Sequence, residues 1–208
     1  MIRVLDHPLI NDELTRLRHP DCAPQEFRQR VRRIASMMVP VVTEGMETRI
    51  VPCPTPLEIT SGSQLAHGIV LVPILRAGLG FSDGFLDLIP QASVAHIGLA
   101  RNEETLLPEP YYMKHPASLE GCEVIILDPM LATGGSAVEA VRRLHAAGAR
   151  RMRVACLVAA PEGVATFESE YPDVPVFAAA LDRCLDERGY ILPGLGDAGD
   201  RLFGTTHC

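Results

Sequence analysis

No tryptophan occurs in these 208 residues, and the aromatic share is only 5%. Proteins that grip single-stranded nucleic acid use aromatic side chains as stacking platforms, so this chain is poorly equipped for that task. Positive charge is also in short supply. Nineteen Lys and Arg face 26 Asp and Glu, a net charge of -7, which disfavours non-specific binding to nucleic acid or to an anionic membrane. A few local arginines can still override that balance for a small phosphorylated ligand. Long apolar runs are missing: the longest covers residues 69–75, far short of a membrane span. The six cysteines, Cys22, Cys53, Cys122, Cys156, Cys184 and Cys208, form no C-x-x-C or other metal-ligand spacing. They read as reduced, scattered thiols of a cytoplasmic protein. The opening MIRVLDHPLI does not have the basic-then-apolar order of a secretory signal, because Asp6 and His7 interrupt it. There is no internal repeat and no low-complexity segment.

The 47% hydrophobic and 22% charged content suits a globular chain, and the length suits one compact domain with a small accessory lobe. Residues 28–44 space apolar side chains as a helix does, at Val31, Ile34, Ala35, Met38, Val39 and Val42. Pro40 predicts a kink or an early stop there. Residues 51–56 hold three prolines and read as an edge strand or loop. Beyond them, short continuous apolar runs alternate with helical stretches. Strands are predicted at 68–75 (GIVLVPIL), 94–100, 124–127 (VIIL), 154–159 and 174–181. Helices are predicted from the glycines after Arg76 to about 89, from about 136 to 147 with Gly148 as C-cap, and from 161 to about 170. Such alternation predicts an α/β fold with a central parallel sheet flanked by helices. Residues 102–121 form a polar, proline-containing excursion with Tyr111 and Tyr112 at its middle, and excursions of that length are commonly functional or mobile.

The most informative segment is Asp128-Pro129-Met130-Leu131-Ala132-Thr133-Gly134-Gly135-Ser136, between a buried strand and a helix. Ligands of open α/β sheets bind at the carboxyl ends of strands. Two hydroxyls and several backbone N–H groups at a helix N-terminus favour a phosphate, and glycine permits close backbone approach. Asp128, at the strand tip, is better placed to accept hydrogen bonds from sugar hydroxyls than to meet a phosphate. An ordinary tight turn capped by Ser or Thr is the competing reading. A Walker A loop is ruled out by the absence of its lysine.

An apolar strand, an acidic residue and ATGGS together resemble the phosphoribosyl pyrophosphate loop of type I phosphoribosyltransferases. Most of that superfamily carries two adjacent acidic residues. Leu127-Asp128-Pro129 is instead the variant of the uracil phosphoribosyltransferase family. VPILRAGLG at 72–80 resembles that family's pyrophosphate loop, ARNEET at 100–105 its second arginine site, and YILPGLGDAGDRLFGT at 190–205 its uracil segment. Ala100 stands where the family has a bulky aromatic residue. The resemblance runs from His7 nearly to the end of the chain.

Several expectations follow from the resemblance. The fold should be the type I phosphoribosyltransferase sheet with a small hood built from about 1–27 and 182–208, and residues 102–121 should form an arm. The reaction should convert uracil and phosphoribosyl pyrophosphate to UMP and pyrophosphate. Arg76 and Arg101, each ending a predicted strand, should hold the pyrophosphate, since the planar guanidinium binds two oxygens at once. Asp128 should hold the ribose, residues 129–136 the phosphate, and Ile191, Gly196, Asp197 and Ala198 the base, with Asp197 also touching phosphoribosyl pyrophosphate. Mg²⁺ should travel on the substrate's oxygens with few protein ligands. A homo-oligomer is expected, GTP is a possible effector, and no histidine is assigned as general base.

Three rivals remain from the sequence. A phosphoribosyltransferase for another base is not expected to carry GLGDAGD after its last strand. A pyrimidine-sensing RNA-binding regulator of related fold needs a basic face. Arg28, Arg30, Arg32 and Arg33, with Arg150, Arg151 and Arg153, offer clusters that are more often plain surface. A nicotinamide-dependent oxidoreductase is suggested by the glycine spacing at 194–199, yet that segment follows a proline rather than a strand and leaves no room for a βαβ unit.

Overall fold

The computed structural model describes residues 2–101 and 108–205, with the backbone alone at Arg101 and Pro108. In chain order its elements are β1 (Ile2–Val4), α1 (Pro8–Arg18), α2 (Pro24–Val42), β2 (Thr48–Pro54), β3 (Ile59–Leu65), β4 (Ile69–Leu75) and α3 (Leu79–Leu88). Next come β5 (Ser93–Val94), β6 (His96–Arg101), β7 (Pro108–Lys114), β8 (Glu123–Leu127), β9 (Met130–Leu131) and α4 (Gly135–Ala146). The last are β10 (Arg151–Ala159), α5 (Pro161–Glu170), β11 (Val176–Leu181), β12 (Cys184–Leu185), β13 (Ile191–Leu192) and α6 (Ala198–Phe203).

The main sheet runs β1-β11-β10-β8-β4-β6-β7, with β5 beside β4 and β9 beside β10. All its pairings are parallel except β6 with β7. The continuous apolar runs follow from burial on both faces. Along β8, Ile125 and Leu127 face one core while Val124 and Ile126 face the other. β4 alternates likewise, as the period of two demands, and so does β10 up to Leu157, where the adjacent Leu157 and Val158 both face the first core. One core packs under α1, α2 and α3, through Leu17, Phe27, Met38, Phe81 and Phe85. The opposite core packs under α4 and α5, through Val141, Leu144 and Phe167.

The strand order reverses direction between β4 and β8. From β4 the chain crosses through α3 to β6 on one side, whereas β8, β10 and β11 build outward on the other. In open α/β sheets a crevice opens at such a point, beyond the carboxyl ends of the strands. Arg76 follows the end of β4, and Asp128 follows the end of β8.

Several local expectations need correction. α2 starts at Pro24, earlier than the periodic stretch at 28–44, and ends at Val42 just past Pro40, the early stop that the proline predicts. Residues 51–54 take the edge-strand alternative of their reading: they belong to β2, and what was not anticipated is its partner β3, with which it forms a separate antiparallel hairpin. Of the polar excursion, 108–114 is a strand, and it makes the edge of the sheet antiparallel; residues 102–107 lie outside the described residues. The tail adds the short β12–β13 ladder as well as a helix. The end of α4 agrees with the sequence. Gly148 takes φ 98, its N–H reaches the His145 carbonyl, and the Ala149 N–H reaches the Leu144 carbonyl, the paired bonds of a Schellman end. Among the described residues no helix is long and apolar enough to cross a membrane.

Candidate active site

Two cavities meet at the crevice. The first, of about 310 Å³, is lined by Asp128, by Met130 through Ala137, and by Gly189 and Asp197. The second, of about 350 Å³, is lined by Ala77, by Arg188 through Ile191, and by Gly196 through Gly199. Asp128, Met130, Ala132, Gly189 and Asp197 belong to both. The 128–136 loop and the 190–199 segment, far apart in sequence, therefore form one continuous trough.

The loop is held by backbone bonds on one side and by glycine on the other. The Pro129 carbonyl accepts from the N–H groups of Leu157 and Val158, and the Leu131 carbonyl accepts from Ala160. This anchors the loop to β10. At the helix start the Ser- or Thr-capped turn is not realised: the N-cap is Gly134, left-handed at φ 85, with no side-chain cap. Among the described residues the hydroxyls of Thr133 and Ser136 have no hydrogen-bond partner. The first amides of α4 and both hydroxyls thus face the cavity without intrahelical duty, an arrangement suited to an anion.

Asp128 is half-buried, its carboxylate accepting weakly from the Met130 N–H at 3.4 Å. Burial pushes its carboxyl up to about 7, with the Met130 bond pulling the other way. The Cys156 thiol lies beneath it, pushed up by burial and by the Asp128 charge.

Asp197 caps α6, its Oδ1 accepting the Asp200 N–H at 2.8 Å. Ile191, Gly196 and Ala198 line the second cavity with it. Arg76 stands at the rim rather than on the wall. Its guanidinium lies 3.4 Å from Asp200 and 5.9 Å from the Phe203 ring centroid, with the side chain 57% exposed. Arg101 closes β6 as expected, but its side chain lies outside the described residues. Ala77 and Gly199 lie inside segments the sequence singled out but were not named as site residues, and Arg188 and Gly189 were missed, with only their adjacency to the 190–205 segment pointing to them. Sequence reasoning also missed Asp200, which holds Arg76.

The fold defines the class. A solved adenine phosphoribosyltransferase from Thermoanaerobacter pseudethanolicus superposes with a TM-score of 0.52 at 12% identity, over 76% of this chain and 84% of that one, so the sheet is that of the type I phosphoribosyltransferases. The AQ2163 protein of Aquifex aeolicus is far nearer, with a TM-score of 0.94 at 37% identity over the whole of both chains. The family model for uracil phosphoribosyltransferase matches residues 4–205. A uracil phosphoribosyltransferase of Ligilactobacillus salivarius is 53% identical over 98% of each chain. The chain belongs to the uracil phosphoribosyltransferase family.

Proposed function

We infer that this enzyme transfers the phosphoribosyl group of phosphoribosyl pyrophosphate to uracil, giving UMP and pyrophosphate. One observation carries the reading: a loop at a helix N-terminus and a main-chain pocket of the C-terminal segment share Asp128 and Asp197 as common walls. A sugar held at Asp128 then has its phosphate in one cavity and the base in the other. Family membership over nearly the whole chain supports the same reaction.

In the reaction the C1–O bond to pyrophosphate breaks, and the leaving group keeps the electron pair. Uracil N1 takes its place at C1 and gives up its proton. Positive charge develops on the sugar, as in glycosyl transfer generally. The ionised Asp128 would orient the ribose hydroxyls and favour that charge. The α4 amides, Thr133 and Ser136 would fix the 5′-phosphate, while Arg76 and Arg101 would meet the charge growing on pyrophosphate. For Arg76 this requires release from Asp200, and its high exposure makes the exchange inexpensive. Peptide groups near Ile191 and from Gly196 to Ala198 would read the alternating donor and acceptor edge of uracil. The donor set fits a Mg²⁺ ion carried by its substrate: Asp128 and Asp197 line the cavity, and among the described residues no three metal-ligating side chains converge. When bound, the ion would neutralise phosphate charge.

Of the end segments 1–27 and 182–208, the described parts after β1 would form the hood over the base, since β1 itself pairs with β11 in the main sheet; of the excursion 102–121, the described part from 108 would form the arm. Five described cysteines, all free thiols, favour a cytoplasmic setting. Self-association is supported by the β2–β3 hairpin, which stands apart from the sheet with Ile50, Leu57 and Ile59 each at least 75% exposed. GTP enters on the resemblance alone.

The test is an assay of the purified protein with Mg²⁺, phosphoribosyl pyrophosphate and each of uracil, orotate, adenine, guanine and hypoxanthine, with and without GTP. UMP from uracil alone is expected. Product from another base would sink the pocket assignment, and no product from any base would sink the enzyme reading.

A further inference from the structure

The base segment is held from behind by two arginines that touch neither cavity. Arg18, the last residue of α1, donates from both terminal nitrogens to Asp182, at 2.7 and 2.6 Å, and donates again to the Gly194 carbonyl at 2.8 Å. Asp182, just past β11 and 8% exposed, returns the grip: its Oδ2 accepts the Gly194 N–H at 2.9 Å. Both peptide groups of Gly194 are therefore taken by one ion pair. The next carbonyl, that of Leu195, accepts from Arg201 at 2.8 Å, and the same guanidinium reaches the His19 carbonyl at 2.6 Å. Arg201 lies 4.4 Å over the Phe27 ring, and burial holds its pKa below the ordinary arginine value.

We propose that Arg18, Asp182 and Arg201 are positioning residues for uracil recognition, locking the backbone at 194–195 so that Gly196 to Ala198 present their peptide groups to the base at fixed angles. This rests on the base-pocket reading above. The physical reason is the nature of the reader. A pocket that recognises a base with its own main chain has no side-chain rotamer to set, so its precision comes from whatever fixes the loop. Two successive carbonyls bonded to charged donors, the first from an ion pair whose carboxylate is buried, supply that rigidity. Arg18, Asp182, Gly194, Leu195 and Arg201 line neither cavity, so the clamp acts through the loop and not on the substrate.

The split between substrates tests it. Arg18→Met and Asp182→Asn should each raise KM for uracil about tenfold or more while KM for phosphoribosyl pyrophosphate stays within about threefold. Arg18→Lys, which can still reach one oxygen as a point charge, should recover part of the loss. A merely structural role predicts a lower melting temperature and fewer active molecules with both KM values unchanged, and that result would overturn the proposal. If Arg18→Met fails to fold, Arg18→Lys and Asp182→Asn carry the same comparison. Ala198→Val, placed in the pocket itself, separates the two levels. If it raises KM for uracil and the clamp variants do not, the clamp inference falls and the pocket stands. If Ala198→Val leaves KM for uracil untouched, the pocket reading falls first.

Discussion

Gly134 and Gly163 lie so close that a Cβ on Gly134 would stand 2.6 Å from the Gly163 carbonyl oxygen, and a Cβ on Gly163 would stand 2.1 Å from the carbonyl oxygen of Ala132. The 128–136 loop and the first turn of α5 are thus in backbone contact, and only glycine fits on either side. Gly163→Ala, outside the walls of both cavities, should push the loop from its place. The expected results are a loss of about 1–3 kcal/mol in stability and a KM for phosphoribosyl pyrophosphate raised about tenfold, with KM for uracil less affected. Denaturant melts and steady-state kinetics on the same preparation read both.

Asp128 sets a pH dependence whose sign follows from burial. Its folded carboxyl is raised from 3.8 to about 7, so the folded state holds the proton more tightly than the unfolded one. The cost to stability is absent below about pH 4, grows as pH rises toward 7, and is constant above. Asp128→Asn removes the ionising group. Allowing for partial exposure, it should stabilise the free enzyme by about 1–3 kcal/mol at pH 8 and by little at pH 4. Melts at both values check this.

Under the proposed mechanism the ionised carboxyl accepts from ribose hydroxyls with both oxygens, whereas protonation turns one of them into a donor. For the wild type, kcat/KM for phosphoribosyl pyrophosphate should rise through about pH 7. In Asp128→Asn that limb should vanish and the plateau should fall by at least about a hundredfold. A limb of unchanged position in the variant would assign it to the substrate's own phosphates.

Arg76 exchanges Asp200 for pyrophosphate under the proposed mechanism. Arg76→Ala should lower kcat by about 10² to 10³, the range for removing one donor aimed at developing charge. Arg76→Lys should recover only part, because an ammonium cannot span two oxygens. Pre-steady-state product formation would show whether the chemical step itself slows.

The exposed hairpin gives a test of assembly. Replacing Ile50 and Ile59, each 75% exposed, by lysine together should leave the monomer fold intact and reduce the mass found by light scattering. An unchanged mass would place any self-association elsewhere.

Much of the fold was legible because both-face burial leaves a plain mark. The apolar runs of β4, β8 and β10 and the glycine that ends α4 can be read from a local window. The 128–136 loop was legible for a similar reason: strand, carboxylate, small residues and helix follow one another along a short stretch of chain. β1 and β3 were not, since three residues on a sheet edge and an exposed strand of a separate hairpin carry no periodic signal. Arg188 and Gly189 carried no chemical mark of their own, and Arg76 was read correctly as a strand-end arginine without any hint of Asp200.

The sequence by itself determined the alternation of strands and helices, the loop at 128–136 and the family, because each rests on neighbours along the chain. Tertiary structure alone decided that β4 and β8 lie side by side at the reversal of strand order, that Asp128 and Asp197 wall both cavities, and that Arg18 grips Asp182 and Gly194. Those relations join residues up to 176 positions apart. They are fixed by the packing of helices on the two faces of the sheet, which local periodicity does not encode.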